Sequence, residues 1–250
     1  MKKALITGAS GGIGLALARQ LAGENYSLTL VARSDQKLKE IVKDLPGRHD
    51  YLKADLSVAE EARQLGDYLA SHPYDVLINN AGVGLYGHFV DMNLTEQLKM
   101  IRLNIDAMVV LSRAYLNHAQ HGNALVNIGS VLGTTSFSGG AAYAGTKGFV
   151  IRFTESLWHE NKKKGIYVCA FSPGVTSSEF YKESGIDEAS FPGFIKQTPV
   201  QVAQELSAAL RSRRKPHVVS GFMNRSMLTF YRLLSRKAIV NSMGGFSPVK

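Results

Sequence analysis

The sequence predicts an α/β fold, a single domain built on a doubly wound parallel sheet with helices on both faces. Short runs that are apolar throughout suit strands buried on both faces of a parallel sheet. Longer segments with helical spacing separate these runs, and such alternation favours right-handed βαβ units. No repeat or linker rich in proline and serine divides the 250 residues. We therefore expect one domain over residues 1–250.

The individual elements follow from local pattern. The predicted strands are Ala4–Thr7, Ser27–Val31, Tyr51–Lys53, Val76–Ile78, Ala124–Ile128 and Tyr167–Phe171. The first predicted helix has apolar residues four positions apart, at Ile13, Leu17 and Leu21. Residues 179–198 break the alternation, because this long segment contains glycine, proline and four aromatic residues. A loop of that length is usually functional, so we expect a substrate lid there.

The composition excludes several classes of protein. With 45% hydrophobic and 20% charged residues, the chain can form a large core and is unlike a disordered protein. One cysteine, Cys169, excludes an intramolecular disulfide and a cysteine-rich metal site. The first residues have too short an apolar run for a signal peptide, and no stretch approaches the ~18 apolar residues of a membrane span. We therefore expect a cytoplasmic protein.

A glycine-rich turn follows the first predicted strand and leads directly into a helix. Residues 7–14 read TGASGGIG. Glycines at such a turn let the backbone fold tightly and let a pyrophosphate approach the amides of the helix N-terminus. The position at a strand-to-helix junction predicts a Rossmann-type dinucleotide site. The expected cofactor contacts here are Gly8, Ser10, Gly11, Gly12, Ile13 and Gly14.

The end of the second strand indicates which dinucleotide binds. NAD sites place an acidic residue there for the ribose 2′-hydroxyl, whereas NADP sites place an arginine nearby for the 2′-phosphate. In this chain Ala32 is followed by Arg33 and Ser34, whose side chains can both bind a phosphate. We therefore predict NADP as the cofactor. NAD stays open as the alternative, because Asp35 is close and Arg33 could instead be a solvated loop residue.

Ser130, Tyr143 and Lys147 form a candidate catalytic group. Tyr143 and Lys147 are four positions apart and so share a face of a helix. A nearby ammonium lowers the pKa of a tyrosine from about 10, and a tyrosine tuned in this way can exchange a proton with a carbonyl or alcohol oxygen. Ser130, at the end of a strand, can hydrogen-bond the same oxygen. By itself the spacing of Tyr143 and Lys147 also arises by chance on surface helices.

Taken together, these motifs resemble the compact branch of the short-chain dehydrogenase/reductase family. The resemblance covers residues 1–178 in the family's order. Its motifs are the glycine turn at 7–14, Asn79-Asn80-Ala81-Gly82 after a strand, Ser130 thirteen residues before Tyr143, Lys147, and Pro173-Gly174 after the sixth strand.

The resemblance implies a role for each matching residue. Tyr143 would be the acid/base, Ser130 would hold the carbonyl, and Lys147 would lower the pKa of Tyr143 and bind the nicotinamide ribose. Asn104 would support a water-linked proton relay to Lys147. Further cofactor contacts would be Asp55, Leu56, Asn80, Ala81, Gly82, Pro173, Gly174, Val175, Thr176 and Ser178, the last standing where the family often has threonine.

The implied reaction is hydride transfer between nicotinamide C4 and a carbonyl carbon, with Tyr143 protonating the oxygen. We expect NADPH-dependent reduction of a ketone, a 3-oxoacyl compound or a similar apolar carbonyl substrate. Candidate residues of an apolar pocket are Gly84, Leu85, Tyr86, Val131, Leu132 and Phe137. An NAD-dependent alcohol dehydrogenase is one alternative. A non-catalytic cofactor sensor or scaffold protein on the same fold is another, because fold does not fix function.

Other chemistries are disfavoured. The residues around Ser130 lack the glycine that a hydrolase nucleophile elbow has two positions before its serine. His118 and His121 have no obvious third ligand, so we predict no metal site. The chain has no recognisable nucleic-acid-binding module.

The family resemblance implies a homo-oligomer formed through the helices that begin near Thr95 and Ala142.

Positive charge is concentrated at the carboxyl end. The chain has 29 basic and 20 acidic residues, a net charge of +9, and residues 201–250 alone carry nine basic residues and Glu205, a net charge of +8. Residues 222–237 mix apolar and basic side chains as an amphipathic helix would. Three roles stay open for this segment: an in-plane membrane contact, docking of an anionic substrate or acyl carrier, and packing on the body or a sister subunit.

Overall fold

Parallel strands form a central sheet in the computed structural model, which describes residues 1–177, 180, 184, 191 and 193–245. In this part of the chain the sheet has seven strands in the order β3-β2-β1-β4-β5-β6-β7. They are β1 (Lys3–Thr7), β2 (Ser27–Ala32), β3 (Asp50–Lys53), β4 (Val76–Asn79), β5 (Ala124–Ile128), β6 (Tyr167–Ser172) and β7 (His217–Val219). The sequence did not predict β7, because it is short and only half-buried, with no sustained apolar run.

Helices connect successive strands. Their bounds are α1 (Gly12–Gly23), α2 (Asp35–Asp44), α3 (Ala59–Ser71), α4 (Leu94–Ile101), α5 (Met108–His118), α6 (Ala141–Asn161), α7 (Pro199–Ser212), α8 (Phe222–Tyr231) and α9 (Arg236–Gly245). A π-helical turn, Arg102–Ala107, joins α4 to α5, and short 3₁₀ turns occupy Val131–Gly133, Lys162–Lys164 and Gly193–Ile195. The predicted α/β fold, a doubly wound parallel sheet of Rossmann type, is confirmed.

Both faces of the sheet are covered. Successive residues of a strand point to opposite faces, so Ile6 packs in the core cluster with α1 and α7, whereas Leu5 packs in the cluster with α3 and α5. The same double burial explains why the strands have unbroken apolar runs. The only cysteine, Cys169 in β6, is fully enclosed in this core.

The carboxyl ends of the strands form one edge of the sheet, where the functional residues collect. β2 and β4 lie on either side of β1, so the winding direction changes between β1 and β4. In such sheets ligands bind outside the carboxyl ends at this switch point. The turns after β1, β4, β5 and β6 therefore meet at one cleft.

The basic carboxyl-terminal segment forms two helices, not the single amphipathic helix that residues 222–237 suggest. α8 ends at Tyr231, and Ser235 begins α9 by accepting a hydrogen bond from the backbone N–H of Ala238 (3.3 Å). Tyr231 and Met243 are buried in a third apolar cluster with Tyr143. One side of this segment therefore packs on the body next to the cleft.

Most of the predicted lid, residues 179–198, lies outside the described residues. Of this segment the structure describes Phe180, Ser184, Phe191 and residues 193–198. Its end is well defined by a capping box: the Thr198 hydroxyl oxygen accepts from the backbone N–H of Gln201 (3.2 Å), and the Gln201 side chain accepts from that of Thr198 (2.8 Å).

In the part of the chain that is described, no helix is long and apolar enough to span a bilayer.

Candidate active site

A cleft of about 620 Å³ runs along the carboxyl ends of the strands. We call its two parts the glycine end, which includes Gly8, Gly11, Arg33 and Asp55, and the apolar end. The apolar end is lined by methionine and phenylalanine side chains: Met100, Phe180, Phe191, Met223, Met227 and Met243. Ser130, Tyr143 and Lys147 also line the cleft. The volume is typical of a small-molecule site.

Most of the predicted site residues line this cleft, and three do not. Gly14, Ser34 and Asn104 are outside the lining, whereas the other described ones belong to it. Ser178 lies outside the described residues.

The glycine turn depends on backbone shapes and spaces that other residues do not allow. Gly8 and Gly12 have φ values of +66° and +51°, in the left-handed region. A Cβ atom on Gly14 would overlap the Gly8 carbonyl oxygen. Gly14 therefore permits close packing of helix α1 against the turn, and Gly8, Gly11 and Gly12 face the cleft.

Thr7 and Asn80 hold this turn in place. The Asn80 side-chain amide donates to the carbonyl oxygens of Thr7 (2.9 Å) and Gly8 (3.1 Å). The Thr7 hydroxyl oxygen accepts from the backbone N–H groups of Asn80 and Ala81, each at 3.0 Å. Asn80 thus positions the turn by joining the end of β4 to the end of β1.

The far part of the glycine end has a cation and no acidic residue at the end of β2. Ala32 ends the strand, and Arg33 after it is exposed and lines the cleft. Ser34 caps α2 by accepting from the backbone N–H of Lys37 (3.3 Å). The first turn of α2 also carries the exposed Asp35.

Asp55, which follows β3, is a fixed carboxylate in the glycine end. Its side chain accepts from the Ser57 hydroxyl (2.6 Å) and backbone N–H (3.0 Å). Burial favours the neutral acid, but these hydrogen bonds and the charge of Arg33 outweigh it and hold the pKa of Asp55 below its ordinary value. Asp55 is therefore ionised at neutral pH. Its negative charge partly offsets the positive charge of Arg33.

The structure brings Ser130, Tyr143 and Lys147 together. Ser130 follows the end of β5, and the other two are one turn apart near the start of α6. The Ser130 hydroxyl hydrogen-bonds the side chain of Tyr143. The Lys147 ammonium donates to the Ile128 carbonyl oxygen (2.8 Å) and lies 5.9 Å from the centre of the Tyr143 ring.

Burial dominates the ionisation of this pair. It raises the pKa of Tyr143 to about 12, although hydrogen bonds with Ser130 and Tyr86 act in the opposite direction. It lowers the pKa of Lys147 to about 8. Desolvation of the phenol is the largest effect on the pKa of Tyr143, and the Lys147 ammonium, which is held at the Ile128 carbonyl, does not bring the net value below the ordinary one.

Asn104 occupies the π-helical turn between α4 and α5, behind the cleft wall. Its side chain accepts from the backbone N–H of Val83 (3.0 Å) and donates to the Val83 carbonyl (2.9 Å) and the Thr146 hydroxyl (3.1 Å). A Cβ on Gly82 would lie 3.1 Å from its Oδ1 and 3.4 Å from the Lys147 ammonium. Asn104 therefore ties the loop after β4 to α6 close to Lys147.

Tyr86 makes a direct contact with Tyr143 that sequence reasoning missed. The sequence placed it in an apolar pocket, but its hydroxyl hydrogen-bonds Tyr143. Their ring centres are 5.4 Å apart, with the planes inclined at 61°. The ring fits beside two glycines, since a Cβ on Gly140 would lie 2.9 Å from it and one on Gly84 would lie 3.1 Å from it. No spacing rule reveals this contact, because it depends on the path of two loops.

The apolar end was only partly predicted. Phe180 and Phe191 belong to the expected lid, but Met223, Met227 and Met243 come from α8 and α9. The signal available was the spacing of Met223 and Met227 in an amphipathic stretch. Methionine side chains adapt to the shape of what they contact.

Within the described residues, no cluster of three or more histidine, cysteine or acidic residues could hold a metal ion.

Comparisons with known proteins agree with this architecture. The family model described as short chain dehydrogenase matches residues 2–189. An NADP-dependent 3-hydroxy acid dehydrogenase from Schizosaccharomyces pombe is 33% identical over 192 residues, which are 72% of this chain and 73% of that protein. A 3-oxoacyl-[acyl-carrier-protein] reductase from Rattus norvegicus is 29% identical over 184 residues, 72% of this chain and 78% of that protein.

A solved structure is similar over almost the whole chain. The short-chain dehydrogenase from Sphingobium yanoikuyae in complex with NADPH superposes with a TM-score of 0.81 and is 28% identical. The alignment covers 93% of each chain.

Proposed function

This chain belongs to the short-chain dehydrogenase/reductase family of oxidoreductases, and from that premise we propose that it is an NADPH-dependent reductase of carbonyl compounds with an apolar body, such as ketones or 3-oxoacyl compounds. The observation that carries the proposal is that Tyr143 lines the same cleft as the glycine end and the methionine-lined apolar end. A substrate in the apolar end would present its carbonyl to Ser130 and Tyr143.

The residues at the glycine end fit NADP. The turn at Gly8–Gly12 presents backbone amides at the start of α1, where a pyrophosphate is stabilised. Arg33 supplies a cation for a 2′-phosphate, and Ala32 places no carboxylate in its way. The NADP-dependence of the yeast relative and the NADPH in the Sphingobium structure support this choice. When bound, the nicotinamide supplies the hydride.

The ionisation of the catalytic pair suits reduction. With a pKa of about 12, Tyr143 keeps its proton at neutral pH and can give it to the substrate oxygen. Ser130 holds that oxygen by donating a hydrogen bond. As the proton leaves, the Lys147 ammonium stabilises the phenolate. The chain therefore needs Tyr143 protonated and Lys147 charged at the start of reduction.

We also propose that the protein forms a homo-oligomer through α4 and α6. Leu94 and Leu98 on α4 and Phe149 on α6 are large apolar side chains exposed to solvent. Phe149 stacks on Phe153, one turn further along α6, with ring centres 5.6 Å apart. Burial of this surface in a symmetric contact would stabilise the assembly.

One experiment tests the reductase proposal directly. Purified protein is mixed with NADPH or NADH and a panel of ketones and 3-oxoacyl thioesters, and oxidation of the cofactor is followed by absorbance. We expect turnover with NADPH, and faster turnover for substrates with longer apolar chains. Preference for NADH would favour the NAD-dependent alternative, for which Asp35 in the first turn of α2 is the candidate ribose ligand. Tight NADPH binding without turnover on any substrate would favour a cofactor sensor.

A further inference from the structure

The outward side of α8 and the turn after it carries large apolar side chains that face solvent. Phe222 is 72% exposed, Phe230 58% and Leu233 82%. Their spacing places them along one side of the helix, and the opposite side, with Tyr231, is buried against the body. We call Phe222, Phe230 and Leu233 the α8 apolar row. Phe230 and Leu233 are near each other at the end of α8 and Phe222 lies two turns away at its start, and exposed apolar side chains along one side of a helix indicate a contact surface.

Basic residues border the α8 apolar row. Arg232, Arg236 and Lys237 are exposed next to it, and residues 206–250 contain nine basic residues and no acidic one. Arg225 on the same helix pairs with Glu205 at 2.9 Å, and Arg236 donates to the Ser136 hydroxyl at 3.2 Å. The surface therefore has apolar side chains in the middle and positive charge along its border.

This surface continues into the cleft. Met223 on α8 and Phe194 in the neighbouring 3₁₀ turn both line the cleft and are both exposed on the outside. The turn and α8 contact each other. The α8 apolar row therefore lies next to the outer rim of the apolar end.

We propose that the α8 apolar row and its basic border bind the surface of an anionic lipid bilayer, so that the apolar end of the cleft opens toward the lipid. An interfacial helix has this arrangement, with aromatic and leucine side chains in the acyl boundary and arginine and lysine at the headgroups. Such a position would let an apolar substrate enter without crossing water. An acidic carrier protein would engage the basic border but would leave the apolar row without a matching environment.

Vesicle flotation with the full-length protein tests the proposal, and it requires no turnover, so its result is independent of the reductase proposal. We expect binding to vesicles of phosphatidylcholine with phosphatidylglycerol and not to phosphatidylcholine alone, and weaker binding as salt increases. Each basic residue near an anionic surface contributes about fivefold in binding constant. Arg232→Gln with Lys237→Gln should therefore weaken binding by roughly twentyfold, and Phe230→Ser with Leu233→Ser by at least about tenfold.

Two matched controls distinguish binding through this surface from nonspecific binding to vesicles. Val90→Ser removes an apolar side chain that is 86% exposed in the loop after β4. Lys163→Gln removes a charge just before β6, at the amino ends of the strands and so opposite the cleft. Both should bind vesicles like the unmodified protein. The α8 variants should keep their thermal unfolding midpoint and their reduction of a water-soluble ketone.

Three results would overturn the proposal. One is failure to float with anionic vesicles at low salt. Another is a dimer that becomes monomeric in Phe230→Ser with Leu233→Ser, seen by sedimentation velocity, because the row would then be covered by a second copy. The third is retention on an immobilised acidic acyl carrier protein, lost in Arg232→Gln with Lys237→Gln, when vesicles are not bound.

Discussion

The glycine end and the apolar end of the cleft are built in different ways. The glycine end consists of turns that follow β1, β2, β3 and β4, and hydrogen bonds such as those from Asn80 to Thr7 and Gly8 join two of these turns. The apolar end consists of methionine side chains from α4, α8 and α9 together with Phe180 and Phe191 from the segment before α7. An arrangement held by backbone hydrogen bonds is suited to fixing a cofactor, whereas flexible side chains can adapt to substrates of different shape.

Five changes test this contrast, and the largest effect should come from Tyr143→Phe. The variant loses the proton donor but keeps the ring, so carbonyl reduction should fall by at least about a thousandfold. NADPH binding, measured by fluorescence titration, should change little because the glycine turn is untouched. Activity close to that of the unmodified enzyme would remove Tyr143 from the mechanism.

A smaller loss should follow a change in the glycine turn itself. In Gly14→Ala the new methyl group would overlap the Gly8 carbonyl oxygen, so the turn must shift. We expect NADPH binding to weaken at least about tenfold and stability to fall by about 1–3 kcal/mol. Gly23→Ala in the same helix is the control, because a Cβ there meets nothing within 4 Å. Equal NADPH affinity in the two variants would contradict the rigidity of the glycine end.

The pH dependence of reduction tests the charge on Lys147. This side chain is protonated below its pKa of about 8 and loses its charge above it, so it stabilises the developing phenolate only on the acid side. We expect kcat/KM to be constant below about pH 8 and to fall about tenfold per unit above it. In Lys147→Arg the charge persists, so the residual activity should show no such fall. A fall that survives in this variant would have another cause.

Tyr86→Phe tests whether Tyr86 positions and tunes Tyr143. The hydrogen bond from Tyr86 lowers the pKa of Tyr143, so its loss should raise that pKa further and disfavour the phenolate. We expect kcat/KM to fall by about fivefold to tenfold, and the rise of alcohol oxidation with pH, which follows deprotonation of Tyr143, to move to higher pH. Tyr231→Phe removes a hydroxyl from the same apolar cluster that contacts Ser242 and Met243, so its pH profile should match the unmodified enzyme. Identical profiles for both variants would assign Tyr86 a packing role alone.

The smallest effect should come from the apolar end. Met227→Leu conserves volume in a half-buried position, so stability should change by less than about 1.5 kcal/mol. We expect KM values to shift by only a few-fold and differently among substrates, with NADPH affinity unchanged. A loss of activity as large as that in Tyr143→Phe would show that this end is as rigid as the other.

The same contrast explains how much could be predicted. Six strands and the catalytic group follow from local patterns, since a buried strand needs an unbroken apolar run and Tyr143 and Lys147 need one helical turn. The break between α8 and α9, the contact of Tyr86 with Tyr143 and the methionines of the apolar end depend on how distant segments pack. The pocket residues expected from the sequence, such as Leu85, Val131 and Phe137, line the cleft, as do Phe180 and Phe191 of the expected lid, but the methionines were not predicted.

The single thiol of the chain, Cys169, can report how often the central sheet opens. Burial in β6 raises the pKa of Cys169 to about 11, so the native protein holds almost no reactive thiolate at neutral pH. Alkylating reagents should therefore modify the protein only when β6 separates from its neighbours. The rate of mass increase with such a reagent then measures how often the centre of the molecule opens, without any engineered label.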